Sequence, residues 1–132
     1  MRAFRNNSAF QDYMINTICD QIFNLVPEAV TQRKFMLTGL ASYFLQRGDD
    51  GRPLQNIVFK TTDTTVYNTI MTAINRLNLL NVVKYNSRIL CEAEGQITNA
   101  YIEIWLDPGT TKVVDLNGLI CEEYSSIKNE LL

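Results

Sequence analysis

The residues of this chain that can do chemistry are its carboxylates. The sequence has no histidine, and its three cysteines, Cys19, Cys91 and Cys121, are far apart in apolar surroundings. Zinc sites of the Cys/His type and every mechanism that needs a histidine base are therefore excluded. The cysteines read as small buried residues of a reducing compartment. Among the acids, Asp49 and Asp50 are adjacent and would diverge on an extended chain; they sit in GDDGRP, Gly48 to Pro53, where solvated turn roles are commonest. Asp63 precedes an amphipathic run and is placed to cap a helix. Asp107 opens a DPG turn, and Asp115 lies on a short strand near the end of the sequence. Glu103 alternates with Ile102, Ile104 and Leu106, which puts it on the polar face of a half-buried strand. A shared face that would bring such acids around one metal ion is not visible in the spacing.

The elements that must position these residues follow from periodicity. Ser8 can cap a helix that runs to about Val26, with Phe10, Met14, Ile18, Ile22 and Leu25 at helical spacing and Pro27 as its stop. Lys34 to Thr38 (KFMLT) reads as a buried strand, Gly39 breaks it, and LASYFLQR suits a short helix with Leu40, Phe44 and Leu45 inward. Asn56 to Thr61 (NIVFKT) is a further strand, followed by a helix of Val66, Tyr67, Ile70, Ile74 and Leu77. NVVKYN, RILCEAE and AYIEIWL predict three antiparallel, hairpin-linked strands. DPGTTK is a turn, VVDL a last short strand, and LICEEYSSIKNEL a closing helix. This order predicts an α+β fold, a mixed β-sheet flanked by helices. With 132 residues, 46% of them hydrophobic, the chain suffices for one core, so residues 1–132 are expected to form a single domain: an N-terminal arm and helix over 1–30, and an α/β core over 34–132. The expected protein is soluble and intracellular, because no segment reaches the apolar length that crosses a bilayer.

In the order of its elements the chain resembles the minimal nucleotidyltransferase-like domains of bacterial antitoxins and abortive-infection proteins. In that family a strand ends in Gly-Gly or Gly-Ser at the start of a helix, the next strand carries Asp-x-Asp, and a later strand supplies a third carboxylate. FMLTGLASYFL matches the first step, with Gly39 in the glycine position and Leu40 where Gly or Ser is usual. NIVF falls on the Asp-x-Asp strand, so the resemblance places Asn56 and Val58 where the two acids belong, and Glu103 in YIEIWL where the third would sit. Alternate residues of a strand share a face, so carboxylates at i and i+2 both reach one magnesium ion, which holds the triphosphate. Here that face offers an amide, a hydrocarbon and, at Lys60, a cation. The resemblance thus implies a vestigial site of Gly39, Asn56, Val58 and Glu103, with no catalytic residue and no metal or other cofactor.

The expected function is that of a non-catalytic binding or structural protein on a nucleotidyltransferase-like scaffold, a subunit of a larger homo- or hetero-oligomeric assembly such as a phage particle. Its setting would be cytoplasmic, or the virion. Tyr101 and Trp105 share the face of Glu103, and aromatics on an open strand face often mark contact with another chain. Phe4 and Phe10, in and after the arm MRAFRNN, are further interface candidates. The alternative is an active metal-dependent nucleotidyltransferase of antitoxin type with a rearranged site. There Glu103, helped by Asp63 or Asp107, would bind magnesium, and Lys60 or Arg52 would meet the phosphates of a nucleoside triphosphate. Nucleic acid is disfavoured as a partner: 12 basic against 14 acidic residues leave a net charge of −2, and the basic residues form no compact stripe. A membrane partner is not expected.

Overall fold

The computed structural model describes residues 16–48, 50–52, 54, 56–74, 82–85, 88–93, 100–109 and 111–132, with backbone only at 82–85, 88–93, 100 and 101. Helix α1 (16–23) buries Ile18, Cys19 and Ile22, the apolar positions one turn apart. It ends three residues short of the expected Val26, and Pro27 opens a new helix rather than stopping the old one. That helix, α2 (Pro27–Thr31), has proline in its first turn, where the missing N–H has no intrahelical partner to lose.

Strand β1 (Phe35–Thr38) runs directly into α3 (Gly39–Arg47), followed by β2 (Asn56–Thr61) and α4 (Thr64–Ala73). Phe44 is buried in α3 as its spacing predicts, but Ala41 and Ser42 take the other inner positions, leaving Leu40 and Leu45 half-buried. Asp63 caps α4, its Oδ1 accepting from the N–H of Thr65 at 2.8 Å and of Val66 at 3.1 Å. Five more strands follow: β3 (Val82–Tyr85), β4 (Arg88–Ala93), β5 (Ala100–Leu106), β6 (Val113–Leu116) and β7 (Leu119–Glu122).

The expected closing helix is not formed. Its first residues are β7, and 3-10 turns at Tyr124–Ser126 and Asn129–Leu131 follow. The cause is Asn117-Gly118, which takes left-handed φ of 54° and 94° and so folds β6 onto β7 as a two-residue hairpin. Asp115 Oδ1 accepts from the Gly118 N–H at 2.6 Å and pins that turn.

The strands form one seven-stranded mixed sheet in the order β3-β4-β5-β2-β1-β7-β6. β2 is antiparallel to β1 and parallel to β5, and β1 is parallel to β7. β3, β4 and β5 are joined as antiparallel neighbours, as their spacing predicts. One face carries Phe35, Leu37, Ile57, Phe59, Ile102, Ile104 and Cys121 into the core against α1, α2 and α4. Phe35 and Phe59 stack with centroids 5.4 Å apart, and Phe23 meets both edge-on. The alternate residues of the central strands, Met36, Thr38, Asn56, Val58, Lys60 and Glu103, point to the opposite face. Among the described residues no helix is long and apolar enough to cross a membrane.

Candidate functional site

The opposite face is built around the turn at Gly39. The residue takes φ +68°, and a Cβ placed there would lie 3.3 Å from both Cβ and Cγ2 of Val58 and 3.5 Å from the carbonyl oxygen of Leu131. Glycine is therefore required twice, by the left-handed conformation and by the space. The group that meets this turn from β2 is a hydrocarbon, and the group above it is a backbone carbonyl.

Pairing registers bring the expected positions together. Thr38, Val58 and Glu103 lie side by side on β1, β2 and β5, so Gly39, Val58 and Glu103 do share one locality. Asn56 lies at the exposed start of β2, opposite Tyr101. Val58 is only 5% exposed, whereas Glu103 and Trp105 are half-buried. The indole N–H of Trp105 donates to Glu103 Oε1 at 2.8 Å, joining two residues that the strand period places on one face.

Beside this row lies a buried ionic cluster that sequence reasoning missed. Lys60 (3% exposed) places Nζ 2.8 Å from Oε2 of Glu122 (1% exposed). The hydroxyl of Thr38 donates to Glu122 Oε1 at 2.6 Å, and that of Ser126 to Oε2 at 2.7 Å. The carboxylate thus takes three donors, one of them cationic, which is what an ion held out of water requires. The backbone is fastened as well: Ser42 Oγ and Gln46 Nε2 each donate to the Glu122 carbonyl at 2.8 Å, and Gln46 Oε1 accepts from the Tyr124 N–H at 2.9 Å. The polar side of α3 therefore anchors the end of β7. One signal was present in the sequence: a lysine inside NIVFKT must find a carboxylate if the strand is central, and CEE offers one.

The remaining polar groups singled out in the sequence serve local structure. Asp63, besides capping α4, lies 3.7 Å from Lys34, and the Val66 and Thr65 amides hold its carboxyl below the usual range. Lys128 Nζ is 2.6 Å from Asp107 Oδ2 and lowers that carboxyl in the same way. Arg52 bonds both oxygens of Asp50, depressing its pKa, and donates from Nη1 to the Leu132 carbonyl at 2.6 Å. Cys19 and Cys121 are free and buried, and burial raises both thiols, that of Cys121 to about 12. They are inert packing residues at neutral pH.

Among the described residues no group of three His, Cys, Asp or Glu side chains is placed to hold a metal ion. A groove of about 470 Å³ runs between α2 and α4, with Lys34 and Asp63 in its wall, but Gly39, Val58, Lys60 and Glu122 do not line it. Phe4, Phe10 and Asp49 lie outside the described residues, as does the side chain of Tyr101. The chain matches no protein-family model, no curated protein and no solved structure.

Proposed function

We propose that this chain is a non-catalytic binding or structural protein on a nucleotidyltransferase-like scaffold, and that it works as a subunit of a larger assembly. The observation that supports this most is the Lys60–Glu122 pair, 2.8 Å apart and buried on the strand face that the resemblance gives to a metal. A metal site needs carboxylates turned toward a cavity and free of competing cations. On this face Val58 presents hydrocarbon to the Gly39 turn, and the buried carboxylate nearby is already matched by its own ammonium group and two hydroxyls. The same burial weighs against the alternative, since Lys60 is only 3% exposed and Arg52 is paired with Asp50.

A binding role draws on the aromatic and cationic surface that remains. Tyr124 is 39% exposed, with the Arg47 guanidinium 4.9 Å above its ring and Tyr43 meeting it edge-on. Tyrosine and arginine are the residues on which protein interfaces concentrate their binding energy. Sedimentation of the purified chain at micromolar concentration tests the reading. An oligomeric mass that falls on Tyr124→Ala substitution supports it, and a monomer overturns the assembly. Heat released on titration with magnesium and a nucleoside triphosphate would overturn the non-catalytic part.

A further inference from the structure

We infer that residues 123–132 are a releasable cover, a strap that closes the Gly39–Val58–Lys60 face and can lift from it while the sheet stays folded. The inference rests on the geometry of this segment alone and does not depend on the oligomeric reading above.

The strap leaves the end of β7 and reaches across the sheet to the far end of β5, where Lys128 pairs with Asp107 on the same face as Lys60 and Trp105. It then turns back, bringing the Leu131 carbonyl over Gly39 and the Leu132 carbonyl to Arg52. On this path it supplies Ser126 to Glu122, and beneath it lie the sealed Val58 and Lys60.

The anchors of the strap are of a different kind from those of the sheet. Of its ten residues only Ile127 is buried. Its first two residues are tied to the body of the domain, Glu123 N–H to the Lys112 carbonyl and Tyr124 N–H to Gln46 Oε1, each at 2.9 Å; beyond them its backbone bonds are short-range 3-10 contacts, such as Ser126 N–H to the Glu123 carbonyl and Leu131 N–H to the Lys128 carbonyl. Ser126 is fastened inward, donating to Glu122 Oε2 and accepting from the Lys112 N–H, but the fastenings past it lie at the rim: Lys128 is half exposed, and the Arg52 group that holds Leu132 is nearly as open. Segments with few buried apolar contacts and solvent-reachable hydrogen bonds open locally, far below the free energy of global unfolding. Central strands, with Phe35, Leu37, Ile57 and Phe59 packed in the core, do not. A weakly anchored cover over a buried ion pair is a two-state element: closed, it excludes water from Lys60 and Glu122; open, it presents Val58, Thr38 and the Gly39 turn to solvent or to a partner.

Thiol labelling tests this with built-in references. In a Val58→Cys chain, peptide mass mapping gives the alkylation rate of the introduced thiol separately from those of Cys19 and Cys121, which lie in the core and react only when the domain unfolds. The introduced thiol should react at least ten-fold faster than either. Adding Lys128→Met, which removes the Asp107 pair, should speed it a further two- to five-fold, roughly what a half-exposed ion pair contributes, with Cys19 and Cys121 unchanged. In the unsubstituted chain, limited proteolysis should cut within 123–132 before any cut in β1 or β2. The inference is overturned if the introduced thiol reacts in step with Cys19 and Cys121, if Lys128→Met leaves its rate unchanged, or if strap and strands are cut together.

Discussion

Replacing Lys60 by methionine isolates the most consequential contact in this structure. Methionine keeps the aliphatic stem that packs along β2 and removes only the ammonium group, so Glu122 would be left buried with two hydroxyl donors in place of three groups. Deleting one partner of a buried pair costs about 3–5 kcal/mol. Thr38 and Ser126, at 2.6 Å and 2.7 Å, remain to solvate the carboxylate, which places the loss near the lower end, about 3 kcal/mol. For a domain stable by roughly 5–15 kcal/mol that is a large fraction. In urea, with a slope of about 1.5–2 kcal/mol/M, the midpoint should fall by about 1.5–2 M with the slope itself unchanged. The double variant Lys60→Met/Glu122→Leu should recover most of the loss, since two hydrocarbons of similar volume bury well and only the two hydroxyls lose a partner. A single-variant loss below about 1 kcal/mol, the value of an exposed pair, would refute the claim that Lys60 and Glu122 are sealed from water.

Three further outcomes follow from the same geometry. Gly39→Ala should destabilise by about 1–2 kcal/mol, measured by denaturation, because the residue is left-handed and its new methyl would press on Val58 at 3.3 Å. Restoring the acids with Asn56→Asp/Val58→Asp should not produce a magnesium site; a carboxylate at the sealed position 58 lacks a donor and should cost several kcal/mol, read as a lowered melting temperature that millimolar magnesium does not restore. Asp63 and Asp107 both have carboxyl pKa values lowered in the folded state by the bonds that hold them, so their contribution to stability is complete above the ordinary carboxylate range, near pH 4, and disappears as pH falls through the lower folded values. Asp63→Asn and Asp107→Asn should each flatten the acid limb of a stability–pH profile below about pH 4 while leaving its shape above pH 6 unchanged.

What the sequence disclosed, it disclosed through local signals. The strand-glycine-helix step at Thr38-Gly39 and the Asp63 cap each rest on neighbouring residues, and each is where the spacing put it; of the loop GDDGRP, the described residues 48 and 50–52 lie outside helix and strand. The same holds for the alternation that sets Val58 and Lys60 on one face of β2. The failures are places where a local signal was outweighed. Pro27 could end one helix or begin another, and the turn after α1 decided it. LICEEYSSIKNEL has the composition of a helix, but Asn117-Gly118 in DLNGLI is a hairpin turn, and once β6 folds back, Leu119 to Glu122 gain a partner strand on each side. Glu122 escaped notice for the same reason, since on a helix it would have been a solvated charge. Its match to Lys60 spans 62 positions, a pairing that only the assembled order β2-β1-β7 brings within reach.

The face of β2 carries a buried ion pair and hydrocarbon where a metal site would need open carboxylates. Manganese, added as a paramagnetic stand-in for magnesium, tests this on the unsubstituted chain, because amide signals broaden within several ångströms of a bound ion. No selective broadening is expected at Thr38, Gly39, residues 56–60 or residues 102–104 at millimolar manganese, with or without a nucleoside triphosphate. Saturable broadening confined to those residues would contradict it.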